Sequence, residues 1–396
     1  MEFKKVKLGE VLESVFSGGT PSTKIQEYWN GNIRWLSSGE TSNDFINDTN
    51  SRITDIGVKK SSTKLAVKND LVMASAGQGK TRGQISYLNI DTYINQSVIA
   101  IRSNKKLLNN KYLYYNLKSR YIELRSLSDS ASTRGSITTK MIKDLDILIP
   151  PLLEQRKISK LLFTLDSKIE INNKIISNLE SQAQAIFKSW FVDFEPFQDG
   201  DFVESELGMI PEGWEVKELG EFIPVKTGKK NANIAKDNGE YPFFTCSQDI
   251  SFTDVYSFDA NAILLAGNGD FNVKRYNGKF EAYQRTYVLI PHQEVQVGWI
   301  YNLIKYNLPK IVSGYKGSVI NYLTKGMIEK FKIAVPDDIN DLMILKNFNE
   351  IEVLISNLNN QNTKLAELRD ALLPKLMAGE IDVSNIKIEG EEVKNE

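Results

Sequence analysis

The sequence predicts an α+β protein: two pseudo-symmetric globular domains joined by a long antiparallel coiled coil of two helices. Three observations predict it. Segments of the first half return in the same order in the second. Each half closes on a heptad pattern of about 33 residues, enough for a helix of roughly 50 Å. Between these patterns, short runs rich in Val, Ile, Tyr and Phe alternate with helical stretches and are punctuated by Gly, Asn and Asp.

The repeat fixes the order of elements. "VKLGEVLESVFSGG" (Val6 to Gly19) returns as "VKELGEFIPVKTGK" (Val216 to Lys229), and "LVMASAGQG" (Leu71 to Gly79) as "AILLAGNGD" (Ala262 to Asp270). "RGSITTKMIKDLDILIPP" (Arg134 to Pro151) returns, with insertions, as "KGSVINYLTKGMIEKFKIAVP" (Lys316 to Pro336). The expected organisation is a globular domain over 1–150, a helix over 151–192 and an acidic linker over 193–207. A second globular domain over 208–336, a second helix over 337–379 and an acidic tail over 380–396 follow. Within the domains "NIRWLS", "TYINQSVIAI", "EYPFFTC" and "QRTYVLI" read as strands. "NKYLYYNLKSRYIELRSL" and "VGWIYNLIKYNLPKIV" read as helices whose aromatics are core rather than stacking platforms.

Composition narrows the function classes. The chain has 396 residues, 41% hydrophobic and 25% charged, as in ordinary globular proteins. It lacks an eighteen-residue apolar run and a signal peptide, so a cytoplasmic protein without a membrane role is expected. With one cysteine, Cys246, and one histidine, His292, it offers neither disulfides nor a Cys- or His-based metal cluster. The net charge of −1 hides a first domain with 22 Lys and Arg against 14 Asp and Glu. Charge alone leaves a solvated basic surface and a polyanion-binding face equally open.

"ASAGQGKT" (Ala74 to Thr81) matches a loose phosphate-binding loop, which makes a nucleotide-hydrolysing enzyme one alternative. Such a loop needs a strand before it and a helix after it. Here "DLVMAS" and "RGQISYL" both read as strands, and the repeat copy has Asp270 and Phe271 in place of Lys80 and Thr81. The segment is therefore expected to be a glycine turn between strands.

The heptads run Ile158, Leu162, Leu165, Ile169, Asn172, Ile176, Leu179, Ala183, Ile186, Trp190 and Ile344, Phe348, Ile351, Ile355, Leu358, Asn362, Leu365, Arg369, Leu372, Leu376. Each seam holds one asparagine, which either meets a polar partner and fixes the register or sits at a wet edge. An antiparallel register is expected to set Asn172 against Asn362, Ile176 against Leu358 and Ala183 against Ile351. Arg369 would then lie opposite Leu165 near a rod end, its head reaching water.

Longer strings carry a family resemblance. "IPPLLEQRKISKLLFTLDSKIEINNKIISNLESQAQAIFKSWFVDFEPF" resembles the central region of type I restriction–modification specificity subunits, and "LRDALLPKLMAGEI" their C-terminal region. "FSGGTPSTKIQEYWNGNIRWLSSGE" and "IPEGWEVKELGEF" resemble the starts of their two target recognition domains. The second repeat departs from the pattern, with Val335-Pro336-Asp337-Asp338 in place of Pro-Pro-x-x-Glu-Gln. The resemblance implies a non-catalytic subunit that reads double-stranded DNA with an interrupted two-part target, each recognition domain taking one half. It also implies two methylation subunits using S-adenosylmethionine and two restriction subunits using ATP and Mg2+, with no cofactor in this chain. The residues agree in showing no Asn/Asp-Pro-Pro-aromatic methyltransferase motif, no nuclease cluster and no ATP loop. The remaining alternative is a coiled-coil scaffold without a DNA role.

Arg and Lys address guanine, Asn and Gln address adenine, and Ser hydroxyls hold phosphates. The candidate DNA-contacting residues are therefore Ser38, Glu40, Gln78, Lys80, Arg82, Arg134 and Ser136 in the first domain. In the second they are Ser247, Gln248, Asn268, Lys274, Arg275, Arg285, Lys316 and Ser318. Asn172 and Asn362 are the candidate register residues.

Overall fold

The computed structural model describes residues 3–76, 81–129, 135–313 and 322–386. They form two compact units, one from residues up to Glu170 together with those from Asn362 onward, the other Ile171–Gln361. Both contain sheets and helices, and each long helix contributes one segment to each unit. No described helix is long and apolar enough to cross a membrane.

In the first unit the alternating apolar runs pair into a five-stranded sheet. Its order is Leu12–Ser17, Val98–Ser103, Leu71–Ala74, Ile85–Leu88, Phe45–Ile46, antiparallel except for the last pair. Successive strand side chains face opposite ways, so Leu71 and Met73 enter one apolar cluster and Val72 another. The first cluster takes Tyr112, Tyr114 and Tyr115 from the helix Asn110–Ser119, and Ile158, Leu162, Leu373 and Leu376 from the long helices. The second packs on Leu36, Ala66 and Ile94 of a four-stranded sheet. The tyrosines are thus core. The helix expected from Asn110 to Leu127 is two, Asn110–Ser119 and Tyr121–Asp129, because Arg120 leaves helical geometry and donates to Glu123 and the Asp146 carbonyl.

The second unit repeats the plan. Its six-stranded sheet runs Val225–Thr227, Thr286–Leu289, Phe258–Ala266, Val273–Ala282, Tyr241–Phe244, Ser251–Thr253. Ile263 and Leu265 face the main core, Ala262 and Leu264 the other side. Phe191 plugs the main core, its ring 5.5 Å from Phe187, 5.7 Å from Trp299, 5.9 Å from Trp214 and 6.5 Å from Phe348. The acidic stretch after it is no bare linker: Phe194 and Phe197 pack on Trp214, and Phe202–Ser205 forms a hairpin with Gly208–Pro211.

The duplication is visible in backbone detail. A ribbon of Lys4–Lys7 with Asp146–Ile149 matches one of Trp214–Glu218 with Lys332–Pro336. Thr138 and Thr324 each cap a short helix by accepting from the amide three residues on. A Cβ on Gly9 would stand 3.0 Å from the Lys143 Cβ, and one on Gly220 3.1 Å from the Glu329 Cβ.

The long helices are Leu152–Phe191 and Ile344–Ala378. Within each unit their segments run antiparallel. In the first, Asp166 meets Arg369 at 2.6 Å, while Lys157, earlier in the first helix, donates to the Ser384 carbonyl at 2.7 Å just past the end of the second. In the second, Asn172 Nδ2 donates to Gln361 Oε1 at 2.7 Å while Phe191 meets Phe348. Every residue of both expected seams is at least partly buried. Asn172 is fully buried and its amide engages Gln361, the neighbour of the half-buried Asn362.

Arg369 departs from expectation. It does not reach for water; its side chain is 13% exposed and bonds the Asp166 carboxylate, itself 3% exposed. The second Asp166 oxygen accepts from the Tyr115 hydroxyl at 2.6 Å. Burial first, then the Asp166 charge, raises the Tyr115 phenol far above its usual range, so it stays a donor.

Candidate nucleic-acid interface

The glycine turns lie where several chain segments are tied together by main-chain hydrogen bonds. In the second unit, Phe258–Ala266 and Val273–Ala282 are joined through Gly267 to Asn272. Gly267 donates to the Arg285 carbonyl (2.8 Å) and accepts from Leu323 N (2.7 Å), while Asn268 bridges to Tyr322. Gln284 N donates to the Lys230 carbonyl at 3.0 Å, and Asn272 Nδ2 to the Cys246 carbonyl at 3.1 Å. Segments around residues 230, 246, 268, 284 and 322 thereby converge at one end of the sheet. Gly269 has φ +68° and a Cβ there would meet nothing within 4 Å, so the turn tip faces open space.

The first unit builds the same knot. Ser75 donates to the Ser97 carbonyl and accepts from Ile137 N, both at 2.8 Å, and Ala76 bridges to Ser136. Thr20 bonds Gln96 on the adjoining loop. The strands flanking this turn pair antiparallel, Met73 with Ile85 and Leu71 with Tyr87. With a strand rather than a helix after the turn, the phosphate-binding-loop reading falls.

Several candidate residues lie in these knots. Ser247, Gln248 and Arg285 are exposed, and Asn268 is half-buried at the bridge. Lys274 reaches the Ser247 carbonyl at 2.7 Å and the Asn272 amide oxygen, and burial lowers its pKa. Ser136 is half-buried at the first knot's bridge, whereas Ser38, also half-buried, opens the short 3-10 helix Ser38–Ser42 outside that knot. Gln78, Lys80, Arg134, Lys316 and Ser318 lie outside the described residues.

Three charged candidates are committed to holding the fold. Glu40 is buried; its carboxylate accepts from Ser37 N (3.1 Å), Ser37 Oγ (3.2 Å) and Asn50 N (2.8 Å), a capping box that braces its loop. Arg82 is 7% exposed and donates to the Gly135 carbonyl at 3.2 Å, tying the turn to the segment that bridges it. Arg275 points the opposite way from Lys274, as strand alternation requires. It bonds Asn261 (3.1 Å) and Asn349 (3.4 Å), and burial lowers its pKa. Exposed Gln96, Lys229, Lys230 and Gln284 were not anticipated, yet they stand in or beside the same loops. The repeat alignment, which sets Lys229 opposite Gly19, carried the signal for one of them.

Comparison with known proteins decides the family. A profile described as the type I restriction modification DNA specificity domain matches residues 1–181 and again 211–367. The chain belongs to the type I restriction–modification DNA specificity family. It is 31% identical to the MjaIX type I restriction enzyme specificity subunit of Methanocaldococcus jannaschii, covering 97% of this chain and 94% of that one. The EcoDI specificity subunit of Escherichia coli is 38% identical over 44% of this chain and 40% of its own. A crystal structure of a type I S subunit from M. genitalium aligns with a TM-score of 0.62 at 18% identity, covering 95% and 96% of the two chains, a shared fold. As a specificity subunit the protein has a DNA-recognition role rather than a catalytic one. Among the described residues no group of three His, Cys, Asp or Glu could hold a metal ion.

Proposed function

We propose that each globular domain, 1–150 and 208–336, reads one half of an interrupted double-stranded DNA target. The long helices set the spacer between halves and dock two methylation subunits; two restriction subunits complete the enzyme. S-adenosylmethionine, ATP and Mg2+ then belong to those partners. The observation that carries this reading is the pair of matching loop knots. Both repeats tie the segment leaving equivalent strand ends to a distant loop, Ala76 to Ser136 in one and Asn268 to Tyr322 in the other, and in the second the turn tip at Gly269 faces open space. Hydrogen-bonding side chains on such tips suit base edges, and the main-chain ties hold them at fixed positions. The protein resides with DNA, in the cytoplasm.

The test is to express the chain with its methylation subunit and map methylated adenines across the host DNA. A single two-part motif with one fixed gap is expected. Exchange of residues 208–336 for those of a relative should replace one half of the motif and keep the other. Methylation without a motif, or replacement of both halves, refutes the reading.

A further inference from the structure

Beside the second knot lies a groove of about 510 Å³ walled by Lys226, Thr227, Lys229, Ser257, Phe258 and Lys325. Resting on the DNA reading above, we propose that this groove holds the sugar–phosphate backbone of the duplex next to the half-site read by the second domain. Lys226 and Lys229 are exposed, and no hydrogen bond or ion pair engages either ammonium among the described residues. Lys325 meets Glu329 at 3.3 Å in a pair whose side chains are 57% and 33% exposed, a contact too weak to hold it from a stronger anion. Glu281, behind the wall, is fully buried and its oxygens already accept from Ser257 Oγ and Ala282 N.

The fold does not require these lysines. In the repeat, Val225-Lys226-Thr227-Gly228-Lys229 corresponds to Val15-Phe16-Ser17-Gly18-Gly19. The backbone is held alike in both: a Cβ on Gly18 would fall 1.9 Å from the Ile94 carbonyl oxygen, and one on Gly228 2.0 Å from that of Ala282. The first unit builds this edge with a phenylalanine and a glycine where the second has lysines. The groove also continues into the knot, since the Lys230 carbonyl accepts from Gln284 N, one residue before Arg285. Lysines are mobile point charges that neutralise phosphates without reading bases. These two lysines accordingly add a salt-dependent contribution to the affinity for the second half-site.

The experiment uses the full chain with its methylation subunit and a duplex bearing the mapped motif, titrated at several salt concentrations. Each lost phosphate contact removes about 0.9 from the slope of log affinity against log salt. The Lys226→Ala/Lys229→Ala variant should flatten the slope by about 1.8, hence lose roughly 12-fold less affinity than wild type between about 0.05 and 0.2 M salt. Its motif should be unchanged, and Lys226→Arg/Lys229→Arg should restore the slope. Wild-type affinity and slope in the alanine variant overturn the inference. So does an unchanged slope with loss of thermal protection by tripolyphosphate, which assigns the groove to a small polyphosphate. A wild-type complex that binds no DNA sinks the DNA reading itself, and this inference with it.

Discussion

Replacing Arg369 by leucine keeps most of its aliphatic volume and removes one charge from the first unit. Two carboxylates touch that charge, and their exposures separate them. Asp370 is 62% exposed and Asp166 is 3% exposed. A solvated pair contributes at most about 1 kcal/mol. Removing one partner of a buried pair strands the other and costs about 3–5 kcal/mol. Arg369→Leu leaves the Asp166 carboxylate with the Tyr115 hydroxyl at 2.6 Å, one donor for a buried anion. At about 2–4 °C per kcal/mol for a unit of this size, the melting temperature should fall by roughly 6–20 °C. Asp370→Ala should move it little. The double variant Asp166→Leu/Arg369→Leu should recover most of the loss, because no unpaired charge remains. Calorimetry and urea unfolding of wild type, Asp166→Leu, Arg369→Leu and the double variant at pH 7 complete the cycle. If Arg369→Leu costs under about 1 kcal/mol, or the double variant merely adds the two single losses, the buried-pair argument is wrong.

Glu352 is buried, and desolvation raises its carboxyl to about 7 against the pull of Arg275 and Lys305. The folded state therefore binds this proton more tightly than the unfolded chain. The resulting stability is present at acid pH, below the unfolded value, and is lost as pH rises toward 7. Glu352→Gln should abolish a decline on the order of 3 kcal/mol between pH 4.5 and 8, read as melting temperature against pH; an unchanged profile contradicts it. Phe191→Ala should destabilise the second unit by about 3–5 kcal/mol, since four aromatic rings lose their common neighbour. Gly228→Ala should impair folding, because its methyl would overlap the Ala282 carbonyl, whereas Gly269→Ala faces open space and should cost only about 1 kcal/mol of backbone strain. Equal losses in their melting curves would discount the close-approach argument. Arg285→Ala should relax base choice in one half of the methylated motif only, by about 1–3 kcal/mol per lost base contact; relaxation in both halves refutes modular reading.

Much of the fold was legible because it rests on periodicities. The heptads exposed both long helices, and the repeat aligned Gly9 with Gly220 and Gly18 with Gly228, pairs whose close approaches prove nearly identical. What stayed hidden depends on partners distant in sequence. Arg369 looked like a charge at the end of a seam; its partners Asp166 and Tyr115 are brought to it by the helix pairing. Glu40 and Arg82 looked available because Asn50 and Gly135 are separated from them in sequence. Lys274 and Arg275 are adjacent and chemically alike, and only the pairing of their strand decides which one faces the loops.

The ties that hold the two glycine turns are made by amides and carbonyls: Ser75 with Ser97 and Ile137, Gly267 with Arg285 and Leu323. Any side chain leaves those groups in place. Mutations at the open tip around Gly269 therefore leave its mooring intact, so side chains there can change without risking the fold. The positions that resist such drift are the ones that thread the backbone through tight spaces, Gly18 and Gly228 among them. Inheritance of a new target then takes a few substitutions on a fixed frame, and retargeting by design can proceed along the same route.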